Sequence, residues 1–300
     1  MERSTGKKGV VTWKRKIFPY LLILPNTLIF ACFILVPAIC GLYYSMTSWK
    51  GIGEAKFTGL ANYVKLLNDN KYWTSLGRTA VYAVIALPLI MIVSLLLAEL
   101  MVQNIRGKGI FRAIIYWPAM ISYIVVGVAF RFLFGDSTGI INYILELFGH
   151  GKVEWLMDAR HALAVVIIAT VWNCAGYYMI MFMSGLNSIP LSYYEAAKVD
   201  GSSPVQSFFR ITIPLIRPTI FLVMMLGFLN LFKAYGLVIS LTGGGPASAT
   251  KFVVQYVYET AFSQTNMGYA CTESIVLMVI LAVFTVLQFR ASNGGGAIND

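Results

Sequence analysis

Val81-Tyr-Ala-Val-Ile-Ala-Leu-Pro-Leu-Ile-Met-Ile-Val-Ser-Leu-Leu-Leu-Ala98 contains no charged residue, and its apolar side chains run on without the 3.6-residue stripe of a half-buried helix. A bilayer core of about 30 Å is crossed by about 20 such residues in one helix. Outward from this stretch the same standard is met repeatedly, and the chain reads as six spans, at about 17–46, 77–102, 113–134, 162–184, 217–241 and 273–290. The expected fold is all-α, a polytopic transmembrane helical bundle. A tail at 1–16, a membrane domain at 17–290 with a long loop at 185–216, and a second tail at 291–300 make up the organisation. Pro118 interrupts the third span, and Arg131 lies near its end, where a long side chain can snorkel to the interface.

Composition agrees. The 300 residues are 58% hydrophobic and 12% charged, against about 25% charged in soluble chains. A net charge of +10 raises nucleic acid as a partner, but Lys and Arg cluster beside the apolar runs. There they act as topological signals and contacts for the lipid bilayer, so no nucleic acid is expected. Cys32, Cys40, Cys174 and Cys271 form no close-spaced pattern and read as small hydrophobes. Lys14-Arg-Lys16 before an apolar run resembles a signal peptide, yet the run is far longer than the core of about 7–15 residues of a cleavable signal, and an uncleaved first helix is expected.

Basic residues assign orientation. Six precede the first span, three lie in 103–112, three around 184–217, and Arg290 follows the last span. The alternate connections hold seven, diluted by acids such as Asp136 and Glu154. Both termini therefore read as cytoplasmic and the protein as a multi-pass protein of the cell membrane. On the outer side, 57–75 and 139–148 read as short amphipathic helices, the second with Ile140, Ile141, Ile144, Leu145 and Phe148 on one face. Lying on the membrane surface and docking an external partner are both open for them.

The loop 184–217 is long and carries apolar residues. Ser192 is placed to cap a helix Tyr193–Val199, with Glu195 reaching back to the cap amide. Gly201 suits a left-handed C-terminal turn. Ser203-Pro204 then caps a second helix, Val205–Ile211, which is expected to stop before Pro214. Two short helices hinged on one glycine make a compact knob. Tyr193, Tyr194, Phe208 and Phe209 are expected on its outside, where a partner protein would cover them.

Within this loop Glu195-Ala196-Ala197, three residues, Gly201, nine residues and Ile211-Thr-Ile-Pro214 resembles the EAA signature of binding-protein-dependent ABC importer permeases, with Ile213 where Leu is usual. Phe57-Thr-Gly-Leu-Ala-Asn-Tyr63, Trp117-Pro118, Leu133-Phe134, Gly139-Ile-Ile-Asn142, Asp200 and Leu241-Thr-Gly-Gly-Gly-Pro246 look like the carbohydrate-uptake branch, similar to maltose, multiple-sugar and glycerol-phosphate importers. The resemblance implies a coupling helix seated in an ATPase subunit. It also implies a second permease subunit, read as a heterodimer partner, two ATPase subunits that use ATP and Mg, and an extracytoplasmic solute-binding protein. Coupling falls to Glu195, Ala196, Ala197, Asp200, Gly201, Ile211 and Pro214.

No cofactor is expected on this chain. Gly243–Pro246 lacks the Lys-Ser/Thr of a phosphate loop, His150 and His161 lack metal spacing, and no nucleophile–base pattern marks a catalytic residue. Polar residues in spans point to a pathway. Span four offers Thr170, Trp172, Asn173, Gly176, Tyr177 and Tyr178, span five Asn230, Lys233 and Tyr235, and span three Ser122 and Tyr123. Aromatic faces and amides suit sugar rings and hydroxyls. Resemblance to the maltose permease site adds Ala119, Leu231 and Ala234 to Tyr123, Thr170, Asn173 and Asn230, within one or two residues on span four. Helix-to-helix hydrogen bonding is the rival role for these groups, and the partner subunit alone could hold the solute. For Lys233 two readings stand open, an acidic solute such as a uronate or phosphorylated polyol, and an ion pair with an acid on another helix or on the partner. An ion-driven secondary transporter would show broken helices and paired intramembrane acids, and neither is evident in the sequence.

Overall fold

The computed structural model describes residues 8–103 and 106–293. Lys8–Phe30 (α1) passes through a π-helical turn, Ala31–Leu35, into Val36–Ser45 (α2). A two-residue hairpin, Thr47–Ser48 (β1) with Lys56–Phe57 (β2), is antiparallel and sets Thr47 opposite Phe57. Helices Ala61–Leu67 (α3), Asn70–Val102 (α4), Lys108–Met120 (α5), Tyr123–Leu133 (α6), Ile140–Leu147 (α7) and Ala159–Asn187 (α8) follow. Then come Leu191–Val199 (α9), Pro204–Ser207 (α10), a π turn Phe208–Thr212, Ile213–Leu215 (α11), Arg217–Phe232 (α12), Gly236–Leu241 (α13), Val253–Tyr258 (α14) and Met267–Asn293 (α15). The short helices read at 57–75 and 139–148 are present as α3 and α7. The fold is all-α apart from the hairpin.

Among the described residues four helical stretches are long and apolar enough to cross a bilayer: Phe18–Ser45, Asn70–Val102, Ala159–Asn187 and Met267–Ala291. The remaining two apolar stretches are not single helices. Between α5 and α6 the axis turns by 97°, because Ile121 and Ser122 are extended, with ψ of 137° at both. The stretch 217–241 breaks at 233–235, between α12 and α13.

The chain divides into two compact units. In the first, the described residues of Met1–Asn68 with Thr260–Leu277, the loop after α2 is tied down by polar side chains. Asn62 Nδ2 donates to the carbonyls of Ser45 and Thr47, both at 2.9 Å, and Ser45 Oγ lies 2.7 Å from Tyr63 Oη. Thr272 Oγ1 donates to the Ser45 carbonyl at 2.8 Å. The Lys65 ammonium lies 4.1 Å above the Tyr269 ring, a cation–π contact. Asn62 and Tyr63 are the end of the sequence run Phe57–Tyr63, and these bonds give that run a structural task.

The second unit, Asp69–Glu259 with the described residues of Met278–Asp300, has α4 and α8 at its centre. Asp69 caps α4 through the amides of Lys71 and Tyr72, and Asp158 caps α8 through those of Arg160 and His161. Small buried residues, Ala83, Ala86 and Ala98 on α4 with Ala162, Ala169 and Ala175 on α8, leave room for close helix packing. Gly176 shows how close. A Cβ there would meet the Ile115 carbonyl and lie 2.8 Å from Tyr116 Cα on α5. We expect Gly176→Val to lower the melting temperature in detergent by more than about 5 °C, since overpacking costs about 1–3 kcal/mol. Gly77→Ala, with open space at its Cβ, should leave the melting temperature within about 2 °C, because exposed helix positions tolerate alanine.

Candidate functional site

Two features stand out in the second unit, a knob and a cavity. The knob begins at α9, and its start differs from the expected one. The helix opens at Leu191 with Pro190 as N-cap, and no side chain caps it. Ser192 therefore sits inside the first turn, and neither it nor Glu195 acts as a capping group. The fixed φ of Pro190, with ψ at 135°, sets the helix start two residues earlier than a Ser192 cap would. The C-terminal end is as the glycine dictates. Gly201 has φ +75°, the Ser202 amide donates to the Ala197 carbonyl at 2.9 Å and the Gly201 amide to Lys198 at 3.2 Å. These two bonds form a Schellman motif.

Ser203 caps α10 with Pro204 at its first position, and Gln206 completes a reciprocal capping box. The helix does not stop before Pro214. It widens into the π turn Phe208–Thr212 and continues through Ile213, which is helical at φ −57°. In the π turn the Ile213 amide bonds to Phe208, and the shifted register carries the helix past a proline that has no amide to give. The chain bends by 68° after Leu215 and enters α12. Tyr194 Oη lies 2.9 Å from Thr212 Oγ1 and pins α9 to the π turn.

On the outside of the knob Tyr193, Val199, Val205 and Phe209 are exposed, Val199 by 87% and Phe209 by 65%. Tyr194 and Phe208 are half-buried. Glu195, Ala196, Asp200 and Gly201 are exposed, Ala197 is buried against the loop, and Ile211 and Pro214 are half-buried at its root.

The cavity, of about 520 Å³, lies where the two broken helices meet. Met120–Ile124, the elbow between α5 and α6, forms one wall, and Lys233–Leu237, the break between α12 and α13, forms another. Tyr82 and Ile90 of α4, Thr170, Cys174 and Tyr178 of α8, and Gly227, Asn230 and Leu231 of α12 complete the lining. The elbows touch through Gly236, whose Cβ would lie 3.2 Å from Ile124 Cγ1. Two polar pairs differ in what they leave free. Thr170 Oγ1 donates to the Val166 carbonyl at 2.8 Å. Tyr82 Oη, 2.9 Å away, must then donate to Thr170. Asn230 Nδ2 donates to Tyr178 Oη at 3.0 Å, which leaves the Tyr178 proton to be given elsewhere.

Residues 90–291 match the family described as "Binding-protein-dependent transport system inner membrane component". This chain belongs to that family. Among its relatives, the sn-glycerol-3-phosphate transport system permease protein UgpA of Agrobacterium fabrum is 34% identical over 93% of this chain and 96% of its own length. The probable starch degradation products transport system permease protein AmyD of Thermoanaerobacterium thermosulfurigenes is 32% identical over 92% and 94%. A bacterial ABC transporter that imports the acidic polysaccharide alginate has a subunit of the same fold, with a TM-score of 0.80 at 23% identity, covering 93% of this chain and 96% of that one. The chain is thus a multi-pass inner-membrane permease subunit of an ABC importer and not an enzyme, the ATPase of such systems being a separate subunit.

As to the pathway residues read from the sequence, Tyr123, Thr170, Asn230, Leu231, Lys233 and Ala234 line the cavity, with Ser122, Tyr178 and Tyr235. Asn173, Tyr177 and Ala119 do not. On α8 the lining falls one residue further on, at Cys174 and Tyr178. Asn173 is buried and donates its amide to the Pro118 carbonyl at 2.6 Å, bracing the elbow. Trp172 packs on Phe130, ring centroids 5.6 Å apart. Tyr82, Ile90, Met120 and Gly227 were not anticipated, since nothing in their local sequence separates them from bulk core. The expected absence of broken helices also fails: the third span, read as interrupted at Pro118, turns at Ile121-Ser122, and the fifth breaks at Lys233–Tyr235, neither break holding a glycine or proline itself. Among the described residues no acid lies within ion-pair distance of Lys233, the pairs being Lys152–Glu146, His161–Asp158 and Lys251–Glu259.

These bonding differences separate two roles. Asn173→Leu should destabilise the protein by about 1 kcal/mol, the loss of a buried hydrogen bond that shares the Pro118 carbonyl with the Ile121 amide, while Tyr178→Phe, which keeps the ring and leaves an exposed Asn230 amide that water can meet, should cost under about 0.5 kcal/mol. Thermal denaturation of the two purified variants in detergent checks this. Equal destabilisation would return Tyr178 to a purely structural role.

Proposed function

We propose that this chain forms half of the translocation pathway of an importer for a hydroxyl-rich solute, a sugar, oligosaccharide or polyol. An extracytoplasmic binding protein delivers the solute, and separate ATPase subunits, which hold the ATP and Mg, drive transport. A second permease subunit, unlike this one, supplies the other half, and both termini face the cytoplasm. The observation that carries the reading is the chain path from knob to cavity. The knob, rigid through its Schellman turn and capping box, runs through α11 directly into α12, whose far end lines the cavity.

The apolar outside of the knob supports a protein partner there, because Tyr193, Val199, Val205 and Phe209 together leave more apolar surface exposed than an isolated loop needs. Closure of an ATPase dimer would bring the paired knobs together and open the cavity outward; hydrolysis would return it inward. The solute class is supported by relatives whose names specify sn-glycerol-3-phosphate and starch degradation products. The lining is also suited to it, with tyrosine rings for apolar sugar faces and Asn230, Ser122 and Tyr178 for hydroxyls.

Association with the ATPase tests the reading. Phe209→Asp and Val199→Asp should each cut the ATPase recovered with the affinity-tagged complex at least about tenfold, as charge placed in a desolvated contact costs more than 1.4 kcal/mol. Gly201→Val should do the same by straining the φ +75° turn. Full recovery of ATPase with all three variants would remove the knob from the interface.

A further inference from the structure

We infer that the transported solute carries an oxyanion, and that the Lys233 ammonium receives it in the cavity. The inference rests on the reading of the cavity as the solute's path and adds the charge class of what passes. Among the residues lining the cavity Lys233 is the one charged side chain, and no carboxylate lines it. Lys233 ends α12 as its C-cap residue and is exposed to that space. A cation is favoured at a helix C-terminus, which accounts for a lysine being tolerated there. It leaves the ammonium protons unused, and among the described residues they meet no acceptor.

Among the described residues no acid answers the charge. Glu259 on the segment after α14 is bound to Lys251 at 2.7 Å and to Gln255 at 3.0 Å. It takes no part in the lining. A cation that lines the cavity and faces no carboxylate there presents its charge to whatever enters.

The neighbouring groups are donors as well. Asn230 lies three residues before Lys233, on the same side of α12, and its amide bond to Tyr178 Oη leaves the phenol proton available. The Lys233 ammonium and the Tyr178 phenol O–H both belong to the cavity lining, and each can donate to a phosphate or carboxylate oxygen, the ammonium with charge assistance. Tyr82 spends its proton on Thr170, and Thr170 spends its own on the Val166 carbonyl. Of these polar groups in the lining, Lys233 and Tyr178 keep protons to give, while Tyr82 and Thr170 do not. A neutral sugar would use the hydroxyl partners but would leave the ammonium unanswered, whereas a phosphorylated polyol or a uronate answers it.

The test uses the complete importer with its binding protein in proteoliposomes. Uptake of labelled glycerol 3-phosphate and of glucuronate is compared with that of glycerol and of glucose, for the wild type, Lys233→Arg and Lys233→Gln. We expect the wild type to take an anionic member over its neutral counterpart and Lys233→Arg to keep that preference. Lys233→Gln should lose at least about tenfold in anion uptake, the scale of one charge-assisted contact, with ATPase assembly unchanged on size-exclusion chromatography. Preferred uptake of the neutral members, indifferent to Lys233→Gln, would overturn the anion inference and leave the importer reading standing. Loss of subunit assembly in Lys233→Gln would overturn it too, by making Lys233 the partner of an acid on the second permease subunit. Absence of uptake of all four solutes by an ATP-hydrolysing wild-type complex would instead strike the proposed solute class itself.

Discussion

Backbone amides and carbonyls inside a bilayer must find partners within the protein, and irregular backbone survives there only where it is buried or lines a cavity. In the second unit this constraint is met by a close approach of α6 and α13. A Cβ at Gly127 would press into Ser240 and sit 2.6 Å from the Leu237 carbonyl, so the two half-helices lie nearly backbone to backbone. With α6 and α13 held together in this way, α5 and α12 arrive from other directions, and both must turn sharply to join them. The cavity is the space left at those turns. Its lining follows from the packing of four half-helices and owes little to any one motif.

The same logic assigns the polar residues. Asn173 and Asn230 are both amides within apolar helices and look alike in sequence. Asn173 faces α5 and gives the Pro118 carbonyl a second donor beside the Ile121 amide, whereas Asn230 faces the cavity and orients a phenol. Their difference is a rotation about the helix axis, set by which neighbour each face of α8 or α12 meets.

Much was legible in the chain itself. Long apolar runs gave the helices of α4, α8 and α15, because a helix of that length needs no tertiary partner to be recognised. Gly201 and Ser203-Pro204 announced their turn and cap, since local backbone chemistry decides both. The breaks at Ile121-Ser122 and Lys233–Tyr235 were not legible. They are imposed by the packing of α6 on α13, and the residues at the breaks have no strong turn preference of their own. Ser192 misled for the opposite reason: a good capping residue stood in the first turn of a helix that Pro190 had already begun. On α8 Thr170 lines the cavity as read, whereas Asn173 and Tyr177 stand one residue, about 100° around the helix, before the lining Cys174 and Tyr178. Pro214 misled as well, because the π turn before it changed the hydrogen-bond register that proline would have broken.

The bend after Leu215 has a mechanical consequence. α12 runs 16 residues from there to the cavity, a rod of about 24 Å at 1.5 Å per residue. Pivoting such a rod by about 5° sweeps its far tip through about 2 Å, enough to break the 3.0 Å hydrogen bond between Asn230 and Tyr178. The gearing is steep: a tilt too small to disturb the packed surfaces along the rod is magnified at the end where the polar contacts are made.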